Sequence, residues 1–411
     1  MLKKLITITL FFIQAYLIMM GRYSWKELNP FLILACTVLI FILYIDSQLD
    51  KKPLEINKSA PNRLIGFGIG VLFMGIYLYV FRRMLWGYPD PGSISDILPQ
   101  LETQYTRFIK GVSPYSSLDQ FAWHPYPVYM PMHWLPLGIA YLFHFDVRLV
   151  GMIALVVVNG FWGSYIWVKQ QNILLKIVAI FLPTYMVQAF WQWERVDLAV
   201  SMETLIAAYY LLLAVGLLSR NLVITTIAII LCLLSRYTLV FWLPLFIPLL
   251  FINEKKKHSI YIVASMVIAV LVFYIIPFNL KDPTILSKGI AYHNNCAISE
   301  WAIEGYTFKS HVYFAPFFAK ILPGAAAQQI FLMRAIQAII MIGLVILGFA
   351  LYHKWKGRIN FYDLCLGILY LVIFLFYIFG ALTYTYYYAT AIVLSAVLVA
   401  MVLLSKQNSQ R

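Results

Sequence analysis

At 411 residues, 62% of them hydrophobic and only 12% charged, the chain has too few charges to cover a water-soluble surface. Soluble domains place about a quarter of their residues in that class. The net charge of +14 would suggest nucleic acid in a soluble protein, but here the basic residues lie largely in short loops, where they set membrane orientation, and no nucleic-acid partner is expected.

The first apolar run, 5–20, follows Lys3 and Lys4 in the manner of a signal peptide. It lacks a small-residue cleavage site and a second span follows, so it is expected to remain as a helix. Spans at 30–45 and 64–81 come next, then a long polar interruption at 82–148. Further apolar runs occupy 149–168, 172–190, 199–218, 222–235, 237–252 and 260–277. A second interruption, 278–327, precedes the last three spans, 328–352, 361–381 and 385–404. Basic clusters at 253–259 and 354–358, with the terminal SKQNSQR, fall on the cytoplasmic side under the positive-inside rule.

Counting spans from either terminus gives one consistent orientation only if 126–143, YPVYMPMHWLPLGIAYLF, does not cross. Its prolines and the interspersed His133 and Trp134 fit an interfacial or re-entrant helix. The expected fold is therefore an all-α polytopic bundle of about twelve helices, one membrane domain over 1–411, whose two long extracytoplasmic loops carry interfacial helices. Neither a repeat of solenoid period nor a pair of similar halves with interrupted helices is visible, and the latter would have favoured a secondary transporter. The four cysteines show no CxxC spacing, and His293 and His311 lack local metal-site spacing, so neither a zinc site nor any other metal is expected.

The first loop gathers Asp90, Asp96, Glu102 and Asp119. Solvated loop carboxylates are the plain reading of all four. Asp96 differs because it opens a stretch with Ile97, Leu98, Leu101, Tyr105, Phe108 and Ile109 at roughly helical spacing. It or Ser95 is placed to cap an amphipathic surface helix, and a carboxylate held there equally suits a general base.

This aspartate, the KGVSPY that follows the helix and the Pro/Tyr-rich HPYPVYMPMHWLP together resemble the polyprenyl-phosphate-sugar-dependent glycosyltransferases of the GT-C superfamily, closest to the α-mannosyltransferase-like subgroup. The resemblance implies that Asp96 is the catalytic base, that Gly111, Pro114 and Tyr115 shape a turn, and that Tyr126, Pro127 and Pro131 lead to the next helix. LPTYMVQAFWQWERVD, with Glu194, Arg195 and Asp197, is similar to a polar helix end that faces the family's active site. LSRYTLVFWLPLFIPLL is similar to the family's basic residue before a proline-containing helix, which implies that Arg236 holds the donor phosphate.

The physics of such a donor agrees. Its tail stays in lipid and its phosphate at the interface, which calls for cations at the outer surface, Arg236 and Arg195 being the candidates, although either arginine equally suits a snorkelling role. In the second loop, His293, Asn294, Asn295, Glu300, Trp301, Glu304 and His311 are types that bind sugars. The Tyr-rich 383–388 reads as an aromatic belt, and Glu203, Arg334 and Asp363 are uncommon intramembrane charges.

The leading expectation is an enzyme that transfers a hexose, mannose by subgroup analogy, from a polyprenyl-phosphate sugar to a glycolipid or cell-envelope glycan hydroxyl, with inversion. It needs no cofactor beyond the lipid-linked donor. The expected location is a bacterial plasma membrane, with membrane lipid as a partner and the site on the extracytoplasmic side. A transporter or flippase, or a glycan polymerase or ligase using a diphospho-linked donor, is the alternative. A transferase predicts Asp96 and Arg236 at one lipid-open cavity; a transporter predicts a path through Glu203, Arg334 and Asp363.

Overall fold

The computed structural model describes residues 2–20, 28–50, 60–119, 121, 124–169, 172–193, 195–303, 313–381 and 384–405. Its described elements are helices, with no strand among them. In chain order they are α1 (Leu2–Met20), α2 (Asn29–Gln48), α3 (Ala60–Met84), α4 (Ile97–Ile109), α5 (Pro131–Trp134), α6 (Leu137–Phe143), α7 (Leu149–Trp167), α8 (Ile173–Phe181), α9 (Tyr185–Trp193) and α10 (Arg195–Ala199). The second half contains α11 (Glu203–Ser219), α12 (Leu222–Leu233), α13 (Leu243–Asn253), α14 (Lys256–Val270), α15 (Ile285–Ala302), α16 (Ala315–Ile321), α17 (Ala326–Lys354), α18 (Phe361–Ile378) and α19 (Tyr388–Leu404).

Among the described residues nine helical segments are long and apolar enough to cross a membrane: α1, α2, α3, α7, the joined α8 and α9, α14 with its continuation, α17, α18 and α19. The shorter apolar helices α11, α12 and α13 lie between them in the chain. This is an all-α polytopic membrane protein. Its outward apolar side chains, such as Leu64, Leu72, Phe331 and Ile339, are exposed because acyl chains rather than water are their natural surroundings.

Local sequence explains the helix ends. Asn172, Asn221 and Asn360 each accept a bond from a backbone N–H one turn in, at 2.8–3.1 Å, and so satisfy donors that α8, α12 and α18 would otherwise leave open. Beyond α14 the chain runs on as a π-helical stretch, Leu271–Asn279, which contains Pro277, a residue with no N–H to give to an α-helical ladder.

The core is centred on α18 and α19, both almost wholly buried. Buried Gln14 of α1 ties this centre together: its amide donates to Thr37 Oγ1 (2.7 Å) and the Tyr370 hydroxyl (3.1 Å), and its carbonyl accepts from Ser395 Oγ (2.7 Å). Four helices are joined by one side chain, which is how a polar group is accommodated without water. The closest pair is α3 with α7, where Gly66 and Gly163 face one another so tightly that a Cβ on Gly163 would stand 2.1 Å from the Gly66 carbonyl oxygen. Small residues let two backbones approach in this way.

The basic loops gather at one end of the bundle. There Lys3 bonds Asp46 (2.5 Å), Arg358 grips Asp50 with Nε and Nη2 (2.5–3.2 Å), the Tyr352 hydroxyl bonds Asn253 (2.9 Å), and the Tyr362 hydroxyl bonds Glu254 (3.1 Å). The opposite end carries both long polar segments. Residues 126–143 fold only as α5 and α6, of four and seven residues, too short to cross a bilayer core that needs about 20. The second segment is built around α15, an 18-residue helix that lies over the first: a Cβ on Gly289 would meet Val128 at 2.7 Å.

Candidate active site

The site lies at the end that holds the two polar segments. α4 forms there because Ile97, Leu98 and Leu101 share one face and are buried. It stops at Gly111, whose φ of +70° suits glycine. Asp96 occupies the position before α4, yet its side chain caps nothing; Ser95 Oγ makes the only cap contact, a long one from the Ile97 N–H at 3.3 Å. The Asp96 carboxylate instead accepts from the Gln100 amide (2.8 Å), and its charge is felt across the gap by Tyr129 and by Tyr292, His293 and Glu300 of α15.

The other three acidic residues of that loop have plainer roles. Asp90 accepts from the Gly92 N–H (3.0 Å) in a turn, Glu102 from the Tyr141 hydroxyl (3.3 Å), and exposed Asp119 sits beside His124. Of the four, Asp96 is the one directed at α15.

Arg236 emerges where α12 ends. Its guanidinium pairs with buried Glu203 at the start of α11, donates to the Tyr377 hydroxyl (3.1 Å) and lies over the Tyr387 ring (4.4 Å). Burial above all, then the nearby Tyr387 and Asp96, holds the Tyr129 phenol protonated well beyond the usual range, with Arg236 opposing. Beside these residues opens a cavity of about 330 Å³, lined by Tyr129, Arg236, His293, Arg334, Gln337 and Tyr387 among others. Arg334 brings a second guanidinium, steadied by Asn294 Oδ1 (2.5 Å). The His293 ring opens on this cavity. Its pKa is lowered, by burial first and then by Arg334, with Asp96 opposing, so it is a neutral imidazole at pH 7. Glu300 is shifted the other way: burial, then the Asp96 charge, raises its carboxyl.

The remaining residues read from the sequence fall in several places. Tyr115 is buried, stacks edge-on against Phe278 (5.2 Å between ring centres) and donates to the Tyr129 carbonyl (3.2 Å), so it supports the wall. Trp301 is 1% exposed and donates to Gln329 (2.7 Å), which fastens α15 to α17 and leaves no ring face for a sugar. Tyr126 is half-buried with its hydroxyl enclosed and unpartnered. Arg195 is exposed at the start of α10, apart from the cavity lining, and Asp197 is half-buried on the same helix. Glu194, Glu304 and His311 lie outside the described residues.

Three features were not legible in the sequence. Residues 383–388 were expected to form an interfacial belt, but Tyr386 and Tyr388 are buried and Tyr387 lies beneath Arg236. Glu203 and Arg334 read as isolated intramembrane charges, whereas one pairs with Arg236 and the other lines the cavity. Asp363 lies at the other end of α18 from Tyr377, a helical distance of about 21 Å at 1.5 Å per residue. His133, which in sequence only marked 126–143 as interfacial, is fully buried near Arg236, and neither ring nitrogen has a hydrogen-bond partner. Burial and then Arg236 push its pKa well down, and the Ser235 backbone opposes without reaching bonding geometry.

No family model matches the chain, and neither the curated proteins nor the solved structures contain a match to it.

Proposed function

We propose that this protein is a membrane glycosyltransferase that moves a hexose from a polyprenyl-phosphate donor to a lipid-borne or glycan hydroxyl. Asp96 takes the acceptor's hydroxyl proton as that oxygen attacks the anomeric carbon. The bond from that carbon to the phosphate oxygen breaks, and its electron pair leaves on a phosphate held by Arg236 and Arg334. One displacement inverts the anomeric centre. The donors of Arg236 left over from Glu203 and Tyr377, with those of Arg334, suit three phosphate oxygens. Neutral His293 and protonation-prone Glu300 supply hydrogen bonds to sugar hydroxyls.

The observation that supports this reading is a cavity lined by two guanidinium groups, Arg236 and Arg334, with neutral His293 beside them; Asp96 does not line that cavity and stands just before α4. A path for a transported solute through Glu203, Arg334 and Asp363 fits less well, since Asp363 belongs to the far end of α18. The second guanidinium favours one further reading, a polymerase or ligase that draws on a diphospho-linked donor.

The test is transfer by the purified protein in liposomes, offered labelled polyprenyl-phosphate sugars and diphospho-linked ones with native lipid extract. Asp96→Asn is expected to lower kcat by about 10²–10⁴ with little change in KM, the usual range for loss of a general base. Full activity in that variant refutes the base, and transfer only from the diphospho-linked donors establishes the second reading.

A further inference from the structure

A second cavity, of about 860 Å³, occupies the basic end of the bundle. Arg63 at the start of α3, Lys169 just past α7, Arg220 after α11 and Arg358 before α18 all line it, together with Asn221 and a single carboxylate, Asp363. Asp50 takes up Arg358 from outside the lining. Lys169 is 6% exposed, with its ammonium 4.2 Å from the Tyr165 ring centre. Arg220 adopts a left-handed φ of +54° where α11 stops, a position that usually takes glycine or asparagine.

The positive-inside rule accounts for cations at this end but not for their arrangement. Lys255, Lys256 and Lys257 show what orientation alone requires, a row of exposed charges at the start of α14. Arg63, Lys169, Arg220 and Arg358 come from separate elements and converge on one concavity, where Asp50 offsets Arg358 and the clustered guanidiniums of Arg63 and Arg220 favour a bound anion. The caps of α12 and α18, Asn221 and Asn360, stand at the same cavity, so the positive ends of two long helices add to its field. The walls are not purely polar: Phe161, Ile224 and Met401 continue them with apolar surface. The volume is that of a site for an organic anion rather than a bare ion.

We infer that this cavity is a binding site for a phosphate-bearing molecule, separate from the proposed transfer site and independent of that assignment. A phosphoryl group accepts several charge-assisted bonds at once, which the Arg63 and Arg220 guanidiniums are built to give. It comes either from an anionic lipid of the adjoining leaflet or from a soluble phosphorylated compound, and the two are separable.

The full-length protein in phosphatidylcholine nanodiscs is titrated with inorganic phosphate and with diphosphate, read by equilibrium dialysis of labelled anion. In a parallel arm, native mass spectrometry counts phosphatidylglycerol molecules retained from mixed micelles in competition with phosphatidylcholine. Saturable binding in the first arm identifies a soluble ligand; selective retention in the second without a response to either anion identifies a lipid headgroup. In both cases Arg63→Gln with Arg220→Gln is expected to weaken binding by about tenfold or more, the equivalent of a charge-assisted bond. Lys256→Gln with Lys257→Gln is the folded control and leaves it unchanged. The inference is overturned if neither arm shows a saturable site, if the arginine variant binds as wild type does, or if the lysine variant loses as much.

Discussion

Glu203→Gln tests the electrostatic logic of the candidate site most directly. The Glu203 side chain is 2% exposed and that of Arg236 12%, so the pair is shielded from water and its charges depend on one another. After the substitution Arg236 keeps a neutral bond to Tyr377 and its stacking on Tyr387. The stacking is worth about 0.5–2 kcal/mol and a neutral bond about 1 kcal/mol, whereas leaving one member of a buried pair uncompensated costs about 3–5 kcal/mol. The net expectation is a loss of at least about 2 kcal/mol for Glu203→Gln, and a similar loss for Arg236→Met, which strands the carboxylate. The double variant leaves no unpaired charge and is expected to lose less than the sum of the singles by about 1 kcal/mol or more. Equilibrium unfolding in mixed micelles of neutral detergent and dodecyl sulfate measures all four proteins. Single losses that add to within about 0.5 kcal/mol would show that the two groups do not act as a pair and would refute the reasoning.

Two further outcomes follow from the geometry. Because the folded protein holds the His133 pKa below its ordinary value, the unfolded chain takes up the proton first as pH falls. Stability is therefore present above about pH 6.5 and declines by up to about 1.4 kcal/mol per pH unit below it, until the folded value is reached. His133→Phe removes that slope while breaking no hydrogen bond, and identical slopes in the two proteins between pH 6.5 and 5 would sink the account. In the α3–α7 seam, Gly163→Ala drives a methyl into the Gly66 carbonyl and is expected to cost about 1–3 kcal/mol. Gly68→Ala, with nothing within 4 Å of its added Cβ, is expected to be neutral or stabilising by up to about 1 kcal/mol through helix propensity; equal losses in thermal melts would contradict the packing described.

What the sequence revealed and what it hid divide along physical lines. Hydrophobic runs, the lysine and arginine clusters and the prolines of 126–143 report local interactions with a bilayer, and the alternation of spans read from them agrees with the ends at which the structure gathers its loops. The turn at Gly111, which the resemblance implied, is there with a φ of +70° that suits glycine. Pairing across the bundle leaves no such trace. Glu203 and Arg236 are 33 residues apart and Tyr387 is further still, so a residue type that suits a membrane belt from its neighbours turns out to be the floor under a guanidinium. The same blindness explains Trp301, whose ring suited sugar binding in sequence and serves as packing in space.

The distribution of charge then carries the functional argument further than any single residue does. In a bilayer an uncompensated charge is expensive, so each buried one calls for a partner. Glu203 answers Arg236, and Gln14 has its amide and carbonyl both satisfied inside the bundle. Arg334 is placed differently, at a cavity. Arg334 has the neutral Asn294 at hand and faces the cavity, and Glu300 Oε2 is enclosed without a partner. Arg334 on α17 and Glu300 on α15 are groups that an additional polar molecule would complete, and on the proposed function a phosphorylated sugar would supply the anion for Arg236 and Arg334 and the acceptor the hydroxyl for Asp96.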